Sequence, residues 1–221
     1  MSNILTIGYT TEGTTDQRFL KTIILKVFEE LAFYCEGDIE VFEPIFIEFP
    51  KENGFINDVL EVALKASTAG INVLCIHVDA DNSKDEDVNK FKFTPANAAL
   101  LNKEEKKYCK NIVPIIPIHM TEAWMLADKD LLKEEMCTNK SNVDLKINRD
   151  PESIADPKKT IEDALVIAQA HLPRRRFRIE IGDLYQPIGQ KIPIPKLENL
   201  DSFKKFKHSA IEALKKLNYL H

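Results

Sequence analysis

Two aspartates, Asp79 and Asp81, directly follow an apolar segment, residues 73–78, that is typical of a buried strand. Side chains two positions apart on an extended chain point to the same side. Two neighbouring carboxylates repel each other, and one pKa rises unless a cation lies between them. Hard divalent ions take oxygen ligands. The pair therefore predicts a metal site; the alternative is that Asp79 caps a turn and Asp81 belongs to an ordinary loop.

The first 135 residues alternate between strand-like and helix-like patterns. Strands are predicted at 3–9, 39–49, 71–78 and 111–118, and helices at 16–33, 55–69, 95–109 and 121–135. This order predicts an α/β fold with a mostly parallel, Rossmann-like sheet flanked by helices. Pro44 favours an edge position for the second strand, and the polar residues 82–93 are predicted to form a mobile loop.

Three further acidic residues follow the ends of other predicted strands. Glu12 follows the first strand, Asp16 lies one helical turn later, and Glu122 follows the fourth strand. The carboxyl ends of parallel strands share one edge, so we expect these side chains to meet the Asp79 and Asp81 pair. One or two Mg²⁺ or Mn²⁺ ions would neutralise the cluster and polarise a phosphate. As the alternative, Glu12 and Asp16 are only first-turn charges that the helix dipole favours.

Three other side chains near these strands could have either a functional or a structural role. Trp124, the single tryptophan, is predicted to pack in the core. His77, inside the third strand, is predicted to be buried and hydrogen-bonded rather than catalytic. His119 lies nearer a strand end and is a slightly better candidate than His77 for contact with substrate.

Composition narrows the class of protein. Of 221 residues, 44% are hydrophobic and 29% charged, which is ordinary for a globular chain. The apolar runs are too short to span a bilayer and no signal-peptide layout is seen, so a cytoplasmic protein without membrane contact is expected. Four dispersed cysteines predict neither a zinc site nor disulfides. With a net charge of −5, any nucleic acid must meet a local basic patch or bound metal.

Residues 136–221 differ in character and are predicted to be a C-terminal extension of a domain at 1–135. Residues 138–157 are polar and predict a linker, while 160–170 and 200–220 predict helices. Between them lie four arginines around one aromatic residue: Arg174, Arg175, Arg176 and Arg178. Guanidinium groups bind phosphates bidentately, so this segment is a candidate nucleic-acid contact; the alternative is a solvated basic segment.

Three segments resemble the TOPRIM fold: Glu-Gly-Thr-Thr-Asp at 12–16, Asp-Ala-Asp at 79–81, and the Glu-x-Trp-like element at 121–128. The resemblance is to OLD-type nucleases and to uncharacterised bacterial proteins encoded beside ATPases of phage-defence systems. Residues 156–158 and 202–203 show a weaker similarity. It implies that Glu12 is a metal ligand or general acid/base, that Asp79 and Asp81 bind Mg²⁺, and that Asp16 and Glu122 complete a second metal site.

The sequence departs from the OLD-like pattern in one respect. No single lysine follows the fourth strand where those nucleases have one, unless Lys129, Lys158 or the arginine run supplies the positive charge. This departure bears on catalysis more than on metal binding.

Together these features predict a Mg²⁺-dependent phosphodiesterase, a nuclease effector of an antiviral defence system that works with an ATPase. Glu12, Asp79 and Asp81 would be catalytic, and Lys158 would join the arginines on the nucleic acid. The alternative is a non-catalytic TOPRIM-like protein that senses a phage signal or docks on an ATPase. A third hypothesis is a haloacid-dehalogenase-like phosphatase, but Asn82 after Asp81 matches the pattern of that family poorly. DNA or RNA as substrate, and a homo-oligomer, are left open.

Overall fold

The computed structural model describes residues 3–104, 106–171 and 178–221. In these residues β1 (Asn3–Leu5) pairs with β3 (Ile39–Val41), and a four-stranded sheet runs in the order β4 (Ile45–Phe46), β2 (Ile7–Thr10), β5 (Val73–His77), β6 (Ile112–Ile115). All of these pairings are parallel. The predicted α/β class with a mostly parallel sheet is confirmed.

The first two predicted strands each divide into two. The first is interrupted at Thr6, whose N–H and hydroxyl both bond the side chain of Asn72, at 2.9 and 2.7 Å. The second divides around Pro44, which has no N–H to donate, and only its second half, β4, joins the main sheet. β4 lies at the edge of that sheet, as predicted.

Helices connect and cover the strands. They are α1 (Thr14–Ala32), α2 (Phe55–Thr68), α3 (Glu86–Val88), α4 (Thr94–Leu101), α5 (Glu122–Met125), α6 (Lys129–Glu135), α7 (Pro157–Ala168), α8 (Ile181–Lys191), α9 (Ile194–Leu197) and α10 (Asp201–Lys216). A π-helix spans Asn89–Phe93 and a 3₁₀ helix spans Pro151–Ser153. None of the helices in the described residues is long and apolar enough to cross a membrane.

Three predicted segments differ from the structure. The predicted loop 82–93 is wrong for its second half, which forms α3 and the π-helix. The predicted helix 95–109 ends at Leu101. The predicted helix 121–135 is broken at Asp128, whose extended backbone and side chain, accepting from the amides of Asp130 and Leu131, start α6 afresh.

Two hydrophobic clusters cover the two sides of the sheet. One includes Val62, Leu74 and Phe93, and the other joins Phe19 of α1 to residues of α5 to α10. Residues on both sides of the predicted 135/136 boundary contribute to the second of these clusters. The C-terminal extension therefore completes the core that α1 begins, while the division into two domains stays a prediction.

Trp124 and Gly189 show how the C-terminal helices are held in place. Trp124 is fully buried, lies edge-on to Phe203 at 5.1 Å between ring centroids, and donates to Ser202 at 2.7 Å, which confirms its predicted core role. Gly189 lets α8 approach α1 closely, because a Cβ there would lie 3.0 Å from the carbonyl oxygen of Phe19. These contacts fix α8 and α10 against α1 and α5.

Candidate active site

The candidate site lies at the edge where β2, β5 and β6 end. Glu12 lies in the turn after β2, Asp16 lies in the first turn of α1, Asp79 follows β5, and Glu122 begins α5 after β6. The backbone N–H of Thr121 donates to Asp79 Oδ1 at 3.0 Å, so the ends of two neighbouring strands are joined directly. These four carboxylates and that of Asp81 form the acidic cluster: Glu12, Asp16, Asp79, Asp81 and Glu122.

Asp81 lies at the exposed rim of this cluster, on a loop that pairs with the loop after β6. Its N–H donates to the carbonyl of His119 at 3.0 Å, and the N–H of His119 donates to that of Asn82 at 3.0 Å. Asp81 and His119 both have left-handed backbones, with φ of 52° and 60°. Such conformations are uncommon for residues other than glycine and concentrate at functional sites. The two loops therefore hold each other in a defined, strained arrangement.

His77 lies buried beneath the cluster. Its Nε2 is 3.0 Å from Thr121 Oγ1 and 3.2 Å from Asp79 Oδ1, and the Glu12 N–H lies 3.4 Å from its Nδ1. Burial alone would lower the pKa of His77, but the hydrogen bond to Asp79 and the surrounding carboxylate charges outweigh it and raise that pKa. The N–H of Glu12 points at Nδ1, which can accept it only in the neutral ring, and the contact is long at 3.4 Å.

Glu122 is buried and hydrogen-bonded by a residue far along the chain. The hydroxyl of Tyr185, on α8, donates to Glu122 Oε1. Burial raises the pKa of Glu122, the Tyr185 bond opposes that rise, and the charges of Asp16 and Asp79 add to it. Burial also raises the pKa of Tyr185, so the phenol stays a donor at neutral pH. Tyr185 therefore orients one carboxylate oxygen of Glu122.

Glu12 and Asp16 face the same group of charges. Burial raises the pKa of Asp16, the positive charge of His77 opposes that rise, and the charge of Asp79 adds to it; the Gly13 N–H also donates to its carboxylate at 3.1 Å. Burial likewise raises the pKa of Glu12, and Asp79 and Asp81 are among the charges that act on it. Glu12 is exposed to solvent, which screens it, so we give its rise less weight than that of buried Asp16.

In the described residues, two of the positive charges beside the cluster come from lysines to which the sequence assigned no role. Lys129 donates to the carbonyl of Arg149 at 2.7 Å, and Lys158 is exposed in the first turn of α7, which Asp156 caps. Arg178 is exposed just ahead of α8, while 174–176 lie outside the described residues. Instead, Lys51 Nζ donates to the Glu12 carbonyl at 2.5 Å, and the charge of Lys92 is among those that lower the pKa of Glu12.

The carboxylate oxygens of the acidic cluster suit a hard divalent cation, although these side chains are not yet close enough together to surround one. The described contacts of Asp79 with Thr121 and His77 both fall on Oδ1, and the bond from Tyr185 to Glu122 falls on Oε1. In Asp79 and in Glu122, one oxygen is thus held by the protein, as the supporting contacts of metal ligands commonly do. Within 3–104, 106–171 and 178–221, however, no three His, Cys, Asp or Glu side chains already stand close enough to hold an ion. Binding would therefore draw at least three of these carboxylates closer together.

Sequence reasoning missed several residues that shape this site. It assigned no role to Thr121, Tyr185, Lys51 or Lys92, and it weighed His77 only as a structural residue. The position of Thr121 directly before Glu122 was a usable signal, since an N–H there must lie at the strand end. Nothing in the local pattern around Tyr185 links it to residues more than sixty positions earlier.

The fold and the site define an α/β protein that carries a carboxylate cluster at the carboxyl edge of a parallel sheet. The family model described as Domain of unknown function (DUF4276) matches residues 11–208, most of the chain, and the chain belongs to that family. The matched range starts immediately before Glu12 and includes the whole acidic cluster. No curated protein and no solved structure matches the chain.

Proposed function

We propose that the protein is a Mg²⁺-dependent phosphodiesterase that hydrolyses nucleic acid at the acidic cluster. The observation that supports this most is the gathering of five carboxylates from three separate parts of the chain, linked through Thr121, His77 and Tyr185. A folded protein has no structural need for so many like charges at one edge. The TOPRIM-like character and the place in an antiviral defence system beside an ATPase rest on the sequence resemblance alone.

Asp79, Asp81 and Glu122 would hold the cation, with Asp16 behind them. A bound divalent ion would neutralise their mutual repulsion and polarise a phosphate oxygen. The protein's own part is to hold these groups ready: Thr121 and His77 fix one oxygen of Asp79, and Tyr185 fixes one oxygen of Glu122. Such supporting contacts typically matter 10- to 100-fold, as an order of magnitude, in metal affinity or activity.

Glu12 would accept the proton of the attacking water. It lies at the exposed rim, where a substrate can reach it, and its raised pKa brings it nearer to neutral pH than an ordinary glutamate. General bases work best when their pKa approaches the pH of the reaction. Lys158 and the arginines remain predicted contacts to the nucleic acid.

Plasmid nicking tests the proposal. The wild-type protein should cleave in Mg²⁺ or Mn²⁺ and not in chelator, with single-stranded DNA and RNA tested in parallel. Asp79→Asn and Glu12→Gln should each reduce the rate by about 100-fold or more, by analogy with the loss of one strong electrostatic group in an active site. Asp163→Asn, an exposed carboxylate of α7, is the matched control and should cleave like wild type. Equal cleavage by the wild type and Asp79→Asn would refute the proposal.

A non-catalytic binding protein is the second candidate, and two observations favour it. In the described residues the carboxylates are not already arranged around an ion, and buried His77 contacts Asp79 beneath them. Such a scaffold would sense a signal or dock on an ATPase with the acidic edge free of metal. Calorimetric titration with Mg²⁺ separates the two candidates, because only a metal enzyme should give a binding heat that Asp79→Asn removes.

A further inference from the structure

Lys51 places a positive charge beside the end of β2. It lies in the connection from β4 to α2, and its Nζ donates to the carbonyl of Glu12 at 2.5 Å. Its backbone is left-handed, with φ of 63°, a conformation that is strained for a non-glycine residue. The side chain is exposed. A strained, solvent-facing lysine that reaches to the rim of the acidic cluster is well placed to bind an anion there.

Lys92 approaches the same rim from the π-helix Asn89–Phe93. Single π-turns are rare and occur frequently at functional sites. Lys92 is half-buried, with its Nζ 5.8 Å from the ring centroid of Phe55, which limits the directions that its ammonium can take. Phe55 begins α2, shortly after Lys51, and its ring also lies 5.3 Å from that of Phe93 between centroids, so the π-helix packs against the same end of α2. The acidic cluster thus has lysines from two different elements beside it.

Phe91, in the same π-turn, is 65% exposed. Lys90 lies over its ring, with Nζ 5.1 Å from the ring centroid. An exposed aromatic ring between lysines adds little to the core, but it is the combination on which proteins stack unpaired bases while they hold the backbone. A duplex hides its base faces within the stack, so such a ring favours single-stranded nucleic acid.

We propose that Lys51 and the π-helix Asn89–Phe93 form the substrate-binding side of the site, where Lys51 and Lys92 hold a phosphate and Phe91 stacks on a neighbouring unpaired base. This inference rests on the proposed function, because the phosphate held is the one presented to the acidic cluster. It places positive charge from the β4–α2 connection and from the π-helix beside the acidic cluster. It also names the substrate class as single-stranded DNA or RNA.

Fluorescence anisotropy with labelled single-stranded oligonucleotides tests this inference without relying on cleavage. Ca²⁺ replaces Mg²⁺, because it also takes oxygen ligands. The probes are oligo(dT), oligo(U), an abasic strand of the same length, and a duplex. The variants are Lys51→Met, Lys92→Met and Phe91→Ala. The matched controls are Lys65→Met, which removes an exposed lysine near the far end of α2, and Phe33→Ala, which removes a ring 88% exposed beyond the far end of α1.

The two lysine variants should weaken both the oligo(dT) and the abasic complex, and each should reduce the salt dependence of log K by about 0.7. Phe91→Ala should weaken the oligo(dT) complex by about five- to 150-fold and leave the abasic complex unchanged. Both controls should bind like wild type. Lysine variants that bind oligo(dT) like wild type, or a wild type that prefers the duplex, would overturn the inference.

The nicking assay distinguishes failure of this inference from failure of the proposed function. Normal binding by Lys51→Met together with Asp79-dependent cleavage would refute only the assignment of the lysines. Lysine-dependent binding with no metal-dependent cleavage would refute the enzyme and retain the single-strand site. Unchanged melting temperatures of the variants establish that each one is folded.

Discussion

Replacement of Tyr185 by phenylalanine tests whether α8 supports the acidic cluster. The substitution keeps the ring, which is buried in the core, and removes only the hydroxyl that donates to Glu122. No cavity larger than one oxygen atom results, so packing changes little. The stability effect should therefore report the hydrogen bond itself.

The expected loss follows from the burial of both partners. Tyr185 is 1% exposed and Glu122 is 5% exposed, so solvent cannot replace the lost donor. A hydrogen bond to a charged group contributes about 1.5–3 kcal/mol to the free energy of unfolding. For a chain of this size that corresponds to a fall in melting temperature of about 3–12 °C. The loss should be smaller at acidic pH, because protonated Glu122 depends less on a donor.

Urea denaturation and thermal melting measure this loss at neutral and acidic pH. Tyr34→Phe is the matched control, because Tyr34 is 72% exposed, and it should change the free energy of unfolding by less than about 0.5 kcal/mol. A double-mutant cycle with Glu122→Gln isolates the pair. If Tyr185→Phe proved as stable as Tyr34→Phe, or its effect were additive with Glu122→Gln, the hydrogen bond would have no energetic role and the argument would fail.

Three further predictions concern packing and charge. Gly189→Ala should lower the free energy of unfolding by about 1–3 kcal/mol, because its Cβ would contact α1. Gly182→Ala, on the same helix, has open space around the new Cβ and should be neutral or stabilising by up to about 1 kcal/mol. Urea titration compares the two variants. Phe203→Ala should cost about 3–5 kcal/mol, and an exposed-phenylalanine variant melting equally low would contradict this. Burial raises the pKa of Asp16 and Glu122 above 3.8 and 4.5, so the folded state binds more protons and loses stability as pH rises through the raised values. The melting-temperature gain from added Mg²⁺ should therefore grow with pH, and a constant gain would count against ion binding at these groups.

The sequence was sufficient for elements whose signals are local and periodic. The helix predicted at 16–33 and the strand predicted at 71–78 appear as Thr14–Ala32 and Val73–His77, and the parallel order follows from their alternation. The break at Asp128 and the π-helix were not predictable in the same way. The apolar spacing continues through the break at Asp128, and residues 82–93 are too polar to show a helical period, so in both places tertiary packing decides the local structure.

The same distinction between local signals and long-range packing applies to the site. The meeting of Glu12, Asp79 and Glu122 was predictable, since the carboxyl ends of parallel strands share one edge whatever the connecting helices do. The roles of Lys51 and Tyr185 were not, because each reaches the cluster from an element whose position depends on packing over long sequence separations. Close approach of α8 to α1 at Gly189, for example, is invisible in a single sequence.

His77 bears on the choice between the two candidate functions, because it stabilises part of the acidic cluster from within the fold. A group of partly buried carboxylates is stabilised by protonation or by a nearby positive charge, and the buried His77 ring, whose pKa is raised, contacts Asp79 without any ion. The fold can therefore form with the cluster intact before a cation arrives, so integrity of the fold carries no information about catalysis. A divalent ion would bring more charge to the second oxygens of the same carboxylates than the ring can. Binding heat that depends on Asp79 is consequently the measurement that distinguishes an enzyme from a scaffold, whereas loss of stability in Asp79 variants would fit either.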